Sequence, residues 1–364
     1  MSYQNMKLLL LIPSLGSGGA ERQLVTLAVL FKRKGLDVEF LIYRKDFFYL
    51  NILEKNNIKV NILNPKNYFD RVIKVRRFIQ GNNYDIIISF LEISAFLSCI
   101  SSVGKKKWKL ITTELSSKKS TFEGLRGKFF GWFRRYSDYI VCNSFNAMNM
   151  WEKYYPEYHD KYKVIYNPVI LNEISTEYSF KKNGKINLVI AASYQYLKNP
   201  IGLINSVALM NDDLRNNIEI HWYGRKEVKT GDTKAYDEAC ELIKTLKLNN
   251  TIFLHEATHE IADKMNEADV VGLFSQLEGL PNAICEAMLI GKPIIMTRVS
   301  DYHALVSDNG FLCDWDDIDS IRKALEEVAS LTKVQQLFLG ENSKVKAEKL
   351  FSTESIVDQW FDLL

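Results

Sequence analysis

Glu278 and Glu286 stand with seven residues between them in the segment Glu278-Gly279-Leu280-Pro281-Asn282-Ala283-Ile284-Cys285-Glu286-Ala287-Met288, which Gly291-Lys292-Pro293 closes. The apolar run at 269–274 ahead of it predicts a strand. The segment therefore belongs at a strand's carboxyl end, where ligands of open α/β sheets bind. Gly279 permits a tight turn, and Pro281 suits the first helical position, where a missing N–H loses no partner. Gly291 suits the helix stop. Amides at a helix start, with the helix dipole behind them, attract an anion such as a pyrophosphate. One carboxylate precedes the helix and the other lies inside it, so both are expected to face one cleft. There they can accept hydrogen bonds from the vicinal hydroxyls of a ribose or a sugar ring.

Two other motifs invite chemistry. Gly16-Ser17-Gly18-Gly19 joins a predicted strand at 7–13 to a predicted helix at 20–34. Alone it is a degraded dinucleotide fingerprint, a glycine-rich strand-to-helix turn. His255-Glu256-Ala257-Thr258-His259 spells the zinc-protease pattern. That chemistry needs both histidines on one helix face. Here the stretch follows a strand at 251–254, and Thr258 is expected to cap the next helix. The metal reading is rejected.

The elements that must position these residues alternate along the chain. Strands are predicted at 7–13, 37–43, 58–63, 84–90, 108–113, 138–143 and 162–166, then at 186–192, 217–222, 251–254, 269–274 and 292–297. Helix-length amphipathic segments such as 20–34 and 68–80 separate them. Buried strands alternating with helices imply parallel sheets covered on both faces. A polar, poorly periodic stretch after Asn167-Pro168 marks a linker at 169–184. The expected domains are 1–168 and 185–349, with a terminal helix at about 350–364 packed back on the first.

With 364 residues, 47% hydrophobic and 25% charged, the chain is sized for two globular domains. Its apolar runs fall short of a membrane span, which points to the cytoplasm. Cys99, Cys142, Cys240, Cys285 and Cys313 form no C-x-x-C pair and read as reduced, buried thiols. Residues 1–170 hold 27 Lys and Arg against 14 Asp and Glu, while the remainder hold 20 against 30. A basic half and an acidic half suggest domains with different partners.

Taken together the motifs resemble glycosyltransferase family 4, of the GT-B fold and retaining. The resemblance is closest to bacterial polysaccharide and O-antigen members with the opening Gly18-Gly19-Ala20-Glu21-Arg22. It runs through Asn143-Ser144, Asn167-Pro168 and Lys198-Asn199 to the paired glutamates. It implies two Rossmann-like domains facing across a cleft, with Glu286 on the donor ribose, Glu278 by the transferred sugar and Lys198 on the pyrophosphate. It implies no metal or other cofactor. Two departures stand out. An arginine usual five residues before the lysine is replaced by Ser193, so Arg225, or else Arg298, is expected to supply the missing cation. A histidine often found near the donor sugar is absent, and Thr113-Glu114 occupies the comparable strand end. The role of Glu114 stays open at this point.

The run at 126–136, Arg126-Gly127-Lys128-Phe129-Phe130-Gly131-Trp132-Phe133-Arg134-Arg135-Tyr136, alternates basic and aromatic residues. With Lys105, Lys106, Lys107, Lys118 and Lys119 it is read as a surface facing anionic lipid, with Arg134 and Arg135 among its cations. No nucleic-acid motif accompanies the charge.

The reading is a glycosyltransferase of hexosyl type, peripheral on the inner face of the cell membrane. Lys198 and Glu278 are its catalytic residues. Gly18, Gly19, Lys198, Arg225, Glu278, Gly279, Leu280, Pro281, Asn282 and Glu286 hold the nucleotide-sugar donor, and the acceptor is a glycan or a lipid-linked glycan. An epimerase or phosphorylase on the same fold, or a non-catalytic nucleotide-binding protein, are the alternatives.

Overall fold

Leu8, Leu9, Leu10 and Leu11 are all fully buried, because one pair points to each face of a sheet covered on both sides. That is why the run lacks the alternation of a half-exposed strand. The computed structural model describes residues 6–104, 106–115, 122–169, 184–227 and 231–364. Lys105, Lys118, Lys119 and residues 170–183 of the expected linker lie outside the described residues.

The chain divides into two units, Met1–Pro168 with Thr353–Leu364, and Val169–Ser352. The first runs β1 (Lys7–Leu11), α1 (Gly19–Arg33), β2 (Asp37–Ile42), α2 (Leu50–Lys55), β3 (Lys59–Ile62), α3 (Tyr68–Gly81), β4 (Ile86–Ser89) and α4 (Glu92–Ser101). It continues through β5 (Lys109–Glu114), α5 (Gly124–Phe133), β6 (Tyr139–Cys142), α6 (Phe145–Tyr154) and β7 (Tyr162–Val164). Its parallel sheet has the order β3-β2-β1-β4-β5-β6-β7.

The second unit begins β8 (Ile186–Ala191), α7 (Pro200–Ala208), α8 (Asp212–Asn216), β9 (Ile218–Gly224), α9 (Lys234–Thr245), β10 (Ile252–Glu256) and α10 (Ile261–Asn266). It ends β11 (Val270–Leu273), α11 (Asn282–Ile290), β12 (Ile294–Thr297), α12 (Tyr302–Leu305), β13 (Gly310–Cys313), α13 (Ile318–Ala329) and α14 (Lys333–Phe351). Its parallel sheet has the order β10-β9-β8-β11-β12-β13. Both are Rossmann-like. In each, the strand order reverses beside the first strand, at β1/β4 and at β8/β11, which creates a crevice at the carboxyl ends.

A last helix, α15 (Thr353–Phe361), belongs to the first unit. Ile356, Trp360 and Leu363 join the core formed by Leu8, Leu10 and Phe31, and the Trp360 ring meets Phe31 edge-on at 6.1 Å. Burying such side chains stabilises by roughly 1.5–3 kcal/mol each. With it come Glu354, Asp358 and Asp362, which lower the positive excess of the amino unit from 13 to 10.

Three sequence expectations are corrected here. Cys240 is exposed on α9, while the other four thiols are buried. Glu260, not Thr258, is the N-cap of α10, and the Thr258 hydroxyl accepts from the Glu260 amide at 3.1 Å. Arg134 is buried at 2% exposure and ion-paired with buried Glu114. Its guanidinium also lies over Trp151, 5.3 Å from the ring centre, so it cannot belong to a lipid-facing surface. His255 sits in β10 and stacks on Tyr223 at 4.4 Å, which separates it from any helix shared with His259.

Candidate active site

The loops that leave β8 and β11 meet where the strand order of the second sheet reverses. The Gln276 amide donates to the Leu197 carbonyl at 2.9 Å and ties the two loops together. After β8 the chain passes Ser193 and makes one tight turn at Tyr196–Lys198. Asn199 then adopts a left-handed conformation, φ 62°, and its side chain accepts from the Gly202 amide to cap α7. Pro200 follows as the first helical residue, preset for the helix. Lys198 is thus held one residue before the cap of a rigid helix.

After β11, the Ser275 hydroxyl donates to Glu278 Oε1 at 2.7 Å. Lys198 Nζ donates to the same oxygen at 2.5 Å. Thr297 Oγ1 in turn donates to the Ser275 carbonyl at 2.6 Å, and the Ser300 hydroxyl donates to the Gly279 carbonyl. The glutamate loop is therefore pinned at both ends by β12 and the residues after it. Leu280 is buried beneath it.

Pro281 occupies the N-cap of α11, and Asn282 is the first helical residue, one position later than the sequence suggested. The shift has a physical cause: the Pro281 carbonyl already accepts from Ile284 and Cys285, which is what a cap residue does. Proline has no side-chain oxygen to turn back on the first amides, and no side-chain cap bond forms. Gly291 ends the helix in the left-handed region at φ 86°, which a β-carbon would strain. Glu286, on α11, is 9% exposed. Gly279 shows no positive φ, so its turn does not depend on that freedom.

Arg225 lies at the carboxyl end of β9, and its carbonyl accepts from the Tyr194 amide at 3.0 Å, directly beside Ser193. The close approach behind this contact needs Gly224, where a β-carbon would meet the Ala192 carbonyl oxygen at 1.9 Å. Arg298 instead pairs with Asp314 at 2.8 Å and lines a separate cavity of about 500 Å³ beside β13. Of the two candidates for the cation missing at Ser193, Arg225 is the one whose backbone is bonded to the residue after it.

Gly18 and Gly19 belong to the other unit, at the carboxyl end of β1. Gly18 is the N-cap of α1 with extended backbone, and neither Gly16 nor Gly18 has positive φ. Glu114 closes β5 at 5% exposure, and the Asn143 amide donates to its carbonyl. Burial pushes its carboxyl up to about 7, and Arg134 offsets part of that.

Chemically, the second unit offers an ammonium–carboxylate pair at the crevice of its sheet, then a helix start at which Pro281 supplies no side-chain cap, and a second, nearly buried glutamate on that helix. A cation for a diphosphate and carboxylates for hydroxyls are the needs of a nucleotide-sugar site. Residues 17–173 match the family described as Glycosyltransferase Family 4, and residues 172–344 match Glycosyl transferases group 1. The chain belongs to the GT-B glycosyltransferase superfamily. It is related to members of family 4.

This glycosyltransferase is 27% identical, over 99% of its length and 98% of the relative's, to the GalNAc-alpha-(1->4)-GalNAc-alpha-(1->3)-diNAcBac-PP-undecaprenol alpha-1,4-N-acetyl-D-galactosaminyltransferase of Campylobacter jejuni. It is 23% identical to the amylovoran biosynthesis glycosyltransferase AmsD of Erwinia amylovora, over 98% and 99% of the two chains. Its fold matches Anabaena HepE in complex with UDP, with a TM-score of 0.84 over 98% and 99% of the chains at 19% identity.

The residues that sequence reasoning missed in the glycosyltransferase are Ser275, Thr297 and Ser300. Hydroxyls three residues before a glutamate, or nineteen and twenty-two after it, carry no signal until the chain folds.

Proposed function

We propose that the protein is a retaining glycosyltransferase that moves a hexosyl group from a nucleoside-diphosphate sugar to a glycan or lipid-linked acceptor in cell-surface polysaccharide assembly. The observation that carries this is the Lys198–Glu278 pair at the β8/β11 crevice, with the start of α11 following it in the chain. Lys198, Arg225 and the first amides of α11 stabilise charge that develops on the departing diphosphate, the term that usually dominates such catalysis. Glu286 holds the ribose and Glu278 the transferred sugar. Gly18 and Gly19 are assigned to the donor phosphates, which a backbone without β-carbons can approach closely. The reaction needs no metal in this reading.

The enzyme works at the inner face of the cell membrane. Leu125, Phe129 and Trp132 are 90%, 51% and 44% exposed at helical spacing on α5, and the amino unit carries the positive excess. An exposed apolar stripe with flanking cations is the pattern of a helix that lies in an interface. The Campylobacter relative acts on an undecaprenol-linked glycan, in keeping with such a site of work.

Screening nucleotide sugars for slow hydrolysis and for thermal stabilisation tests the donor assignment. A donor at about 100 times its dissociation constant adds about 2.7 kcal/mol. A panel in which no nucleotide sugar is hydrolysed or raises the melting temperature overturns it.

A further inference from the structure

At the edge of the first sheet opposite the Gly16–Gly19 loop, the amino ends of β5, β6 and β7 surround a cavity of about 490 Å³. Four cations line it, Lys106, Lys109, Arg135 and Lys161, and Asp138 is the sole acid among the lining side chains. Lys106 meets Asp138 at 2.5 Å. Lys161 donates to the carbonyls of Arg135 and Ser137, at 2.7 and 2.9 Å, and Lys109 donates to an oxygen of Leu364 at 2.7 Å. The Arg135 and Ser137 peptide carbonyls satisfy the Lys161 ammonium's hydrogen bonds without cancelling its charge, whereas the Leu364 oxygen belongs to the terminal carboxylate and offsets Lys109. Burial pushes the Lys161 ammonium down from its ordinary value, and Lys106 and Arg135 add repulsion that Asp138 partly offsets. Like charges held together in one concavity are relieved by an anion.

The neighbour of this cavity narrows the choice of anion. The Arg135 guanidinium lies over the Trp132 ring, 3.9 Å from its centre. Trp132 belongs to the exposed stripe Leu125–Phe129–Trp132 of α5. Cationic pocket and apolar stripe are thus joined through one stacked pair, with charge on one side and greasy surface on the other. A free phosphate has no use for the stripe, whereas a phospholipid presents a phosphodiester next to acyl chains.

We infer that this cavity seats the phosphate of an anionic phospholipid, with Arg135 bridging from headgroup to interface while the α5 stripe enters the acyl boundary. The inference rests on the reading that the enzyme works at a membrane surface. Neither the pocket nor α5 belongs to the donor site, so donor hydrolysis in solution is unaffected by neutralising the pocket.

The test uses the full chain, the double variant Lys106→Gln/Arg135→Gln, and Arg135→Gln alone as the milder change at an exposed side chain. Dihexanoyl-phosphatidylglycerol below its micelle concentration and inorganic phosphate are titrated separately by calorimetry. Phosphatidylcholine vesicles with and without phosphatidylglycerol are then used in sedimentation. Wild type should bind the short-chain lipid saturably and inorganic phosphate far more weakly. The double variant should bind the lipid about tenfold or more weakly, from the loss of two interfacial cations. Equal affinity for phosphate and lipid would make this a plain anion site and overturn the proposal. So would unchanged lipid affinity in the folded variants. Wild type that binds the short-chain lipid yet ignores the vesicles would keep the pocket and sink the membrane reading. Wild type that sediments with phosphatidylglycerol vesicles but takes no short-chain lipid would do the reverse.

Discussion

Lys198 Nζ rests 2.5 Å from Glu278 Oε1, and that contact joins the loops after β8 and β11 beside the Gln276–Leu197 backbone bond. The ammonium assigned to the diphosphate is therefore already paired with a carboxylate that the Ser275 hydroxyl also holds in place. An incoming diphosphate must share Lys198 with Glu278, and the carboxylate's own charge opposes it. Glu278→Gln should then tighten binding of a free nucleoside diphosphate, by about tenfold if roughly 1.4 kcal/mol of repulsion is removed. Sugar transfer should fall in the same variant. Lys198→Ala should weaken the diphosphate and lower turnover by about 10²–10³-fold. Calorimetry with a panel of nucleoside diphosphates decides the first point, and weaker binding in Glu278→Gln would mean that the pair acts as one anchor.

The second prediction concerns the cation missing at Ser193. Arg225 shares a backbone bond with Tyr194, next to that position, and Arg298 pairs with Asp314 beside a separate cavity. Arg225→Ala should lower turnover by about 10²-fold, a typical loss for one electrostatic donor. Arg298→Ala should change it little. Adding Ser193→Arg to the Arg225 variant should restore part of the rate. If Arg298→Ala is the damaging change, the assignment is reversed.

Much of this was legible in the sequence, for definable reasons. The run Leu8–Ile12 reads as a buried strand because a parallel sheet covered on both faces abolishes alternation. Gly291 reads as a helix stop because a left-handed residue there favours glycine. What stayed hidden depends on partners distant in the chain. Arg134 sits in a basic–aromatic run that looks solvent-facing, and only Glu114, twenty residues earlier on β5, turns it inward. Ser275 and Ser300 are ordinary loop hydroxyls until folding brings them to Glu278 and Gly279.

The third prediction follows from that correction. With Arg134 removed from the surface, the apolar stripe becomes the feature to test. Phe129→Ser/Trp132→Ser should reduce sedimentation with phosphatidylglycerol vesicles at low salt by about tenfold or more, since each buried CH₂ contributes about 0.8 kcal/mol. Phe129 also packs against Phe96 and Phe133, at 5.6 and 4.9 Å, so the melting temperature must be followed alongside. Undiminished sedimentation by a folded double variant would remove α5 from the interface.

The last prediction uses the chemical inequality of Arg134 and Glu114. Both are buried, and Arg134 Nη1 has no hydrogen-bond partner among the described residues. Removing either partner of a buried pair typically costs about 3–5 kcal/mol, because the other charge is stranded. The two removals should nevertheless differ. A stranded carboxyl can take a proton and become neutral, while a guanidinium cannot lose one. Glu114→Leu should therefore be the more damaging change near neutral pH, and Arg134→Met the milder. The pH dependence has a definite sign. Burial raises the Glu114 carboxyl from an ordinary 4.5 to about 7 in the folded protein. The folded state thus holds a proton that the unfolded state releases, and the stability this contributes is lost as pH rises from about 4.5 through 7. Without Arg134 the carboxyl is pushed higher still, so Arg134→Met should lose less stability at pH 6 than at pH 8. Replacing both residues together should recover most of the loss, since no charge is then buried. Denaturant midpoints of the three variants at both pH values test all of this. A Glu114→Leu variant as stable as wild type at pH 8 would show that Arg134 finds water or another partner, and that the pair does not hold β5 to the turn after α5.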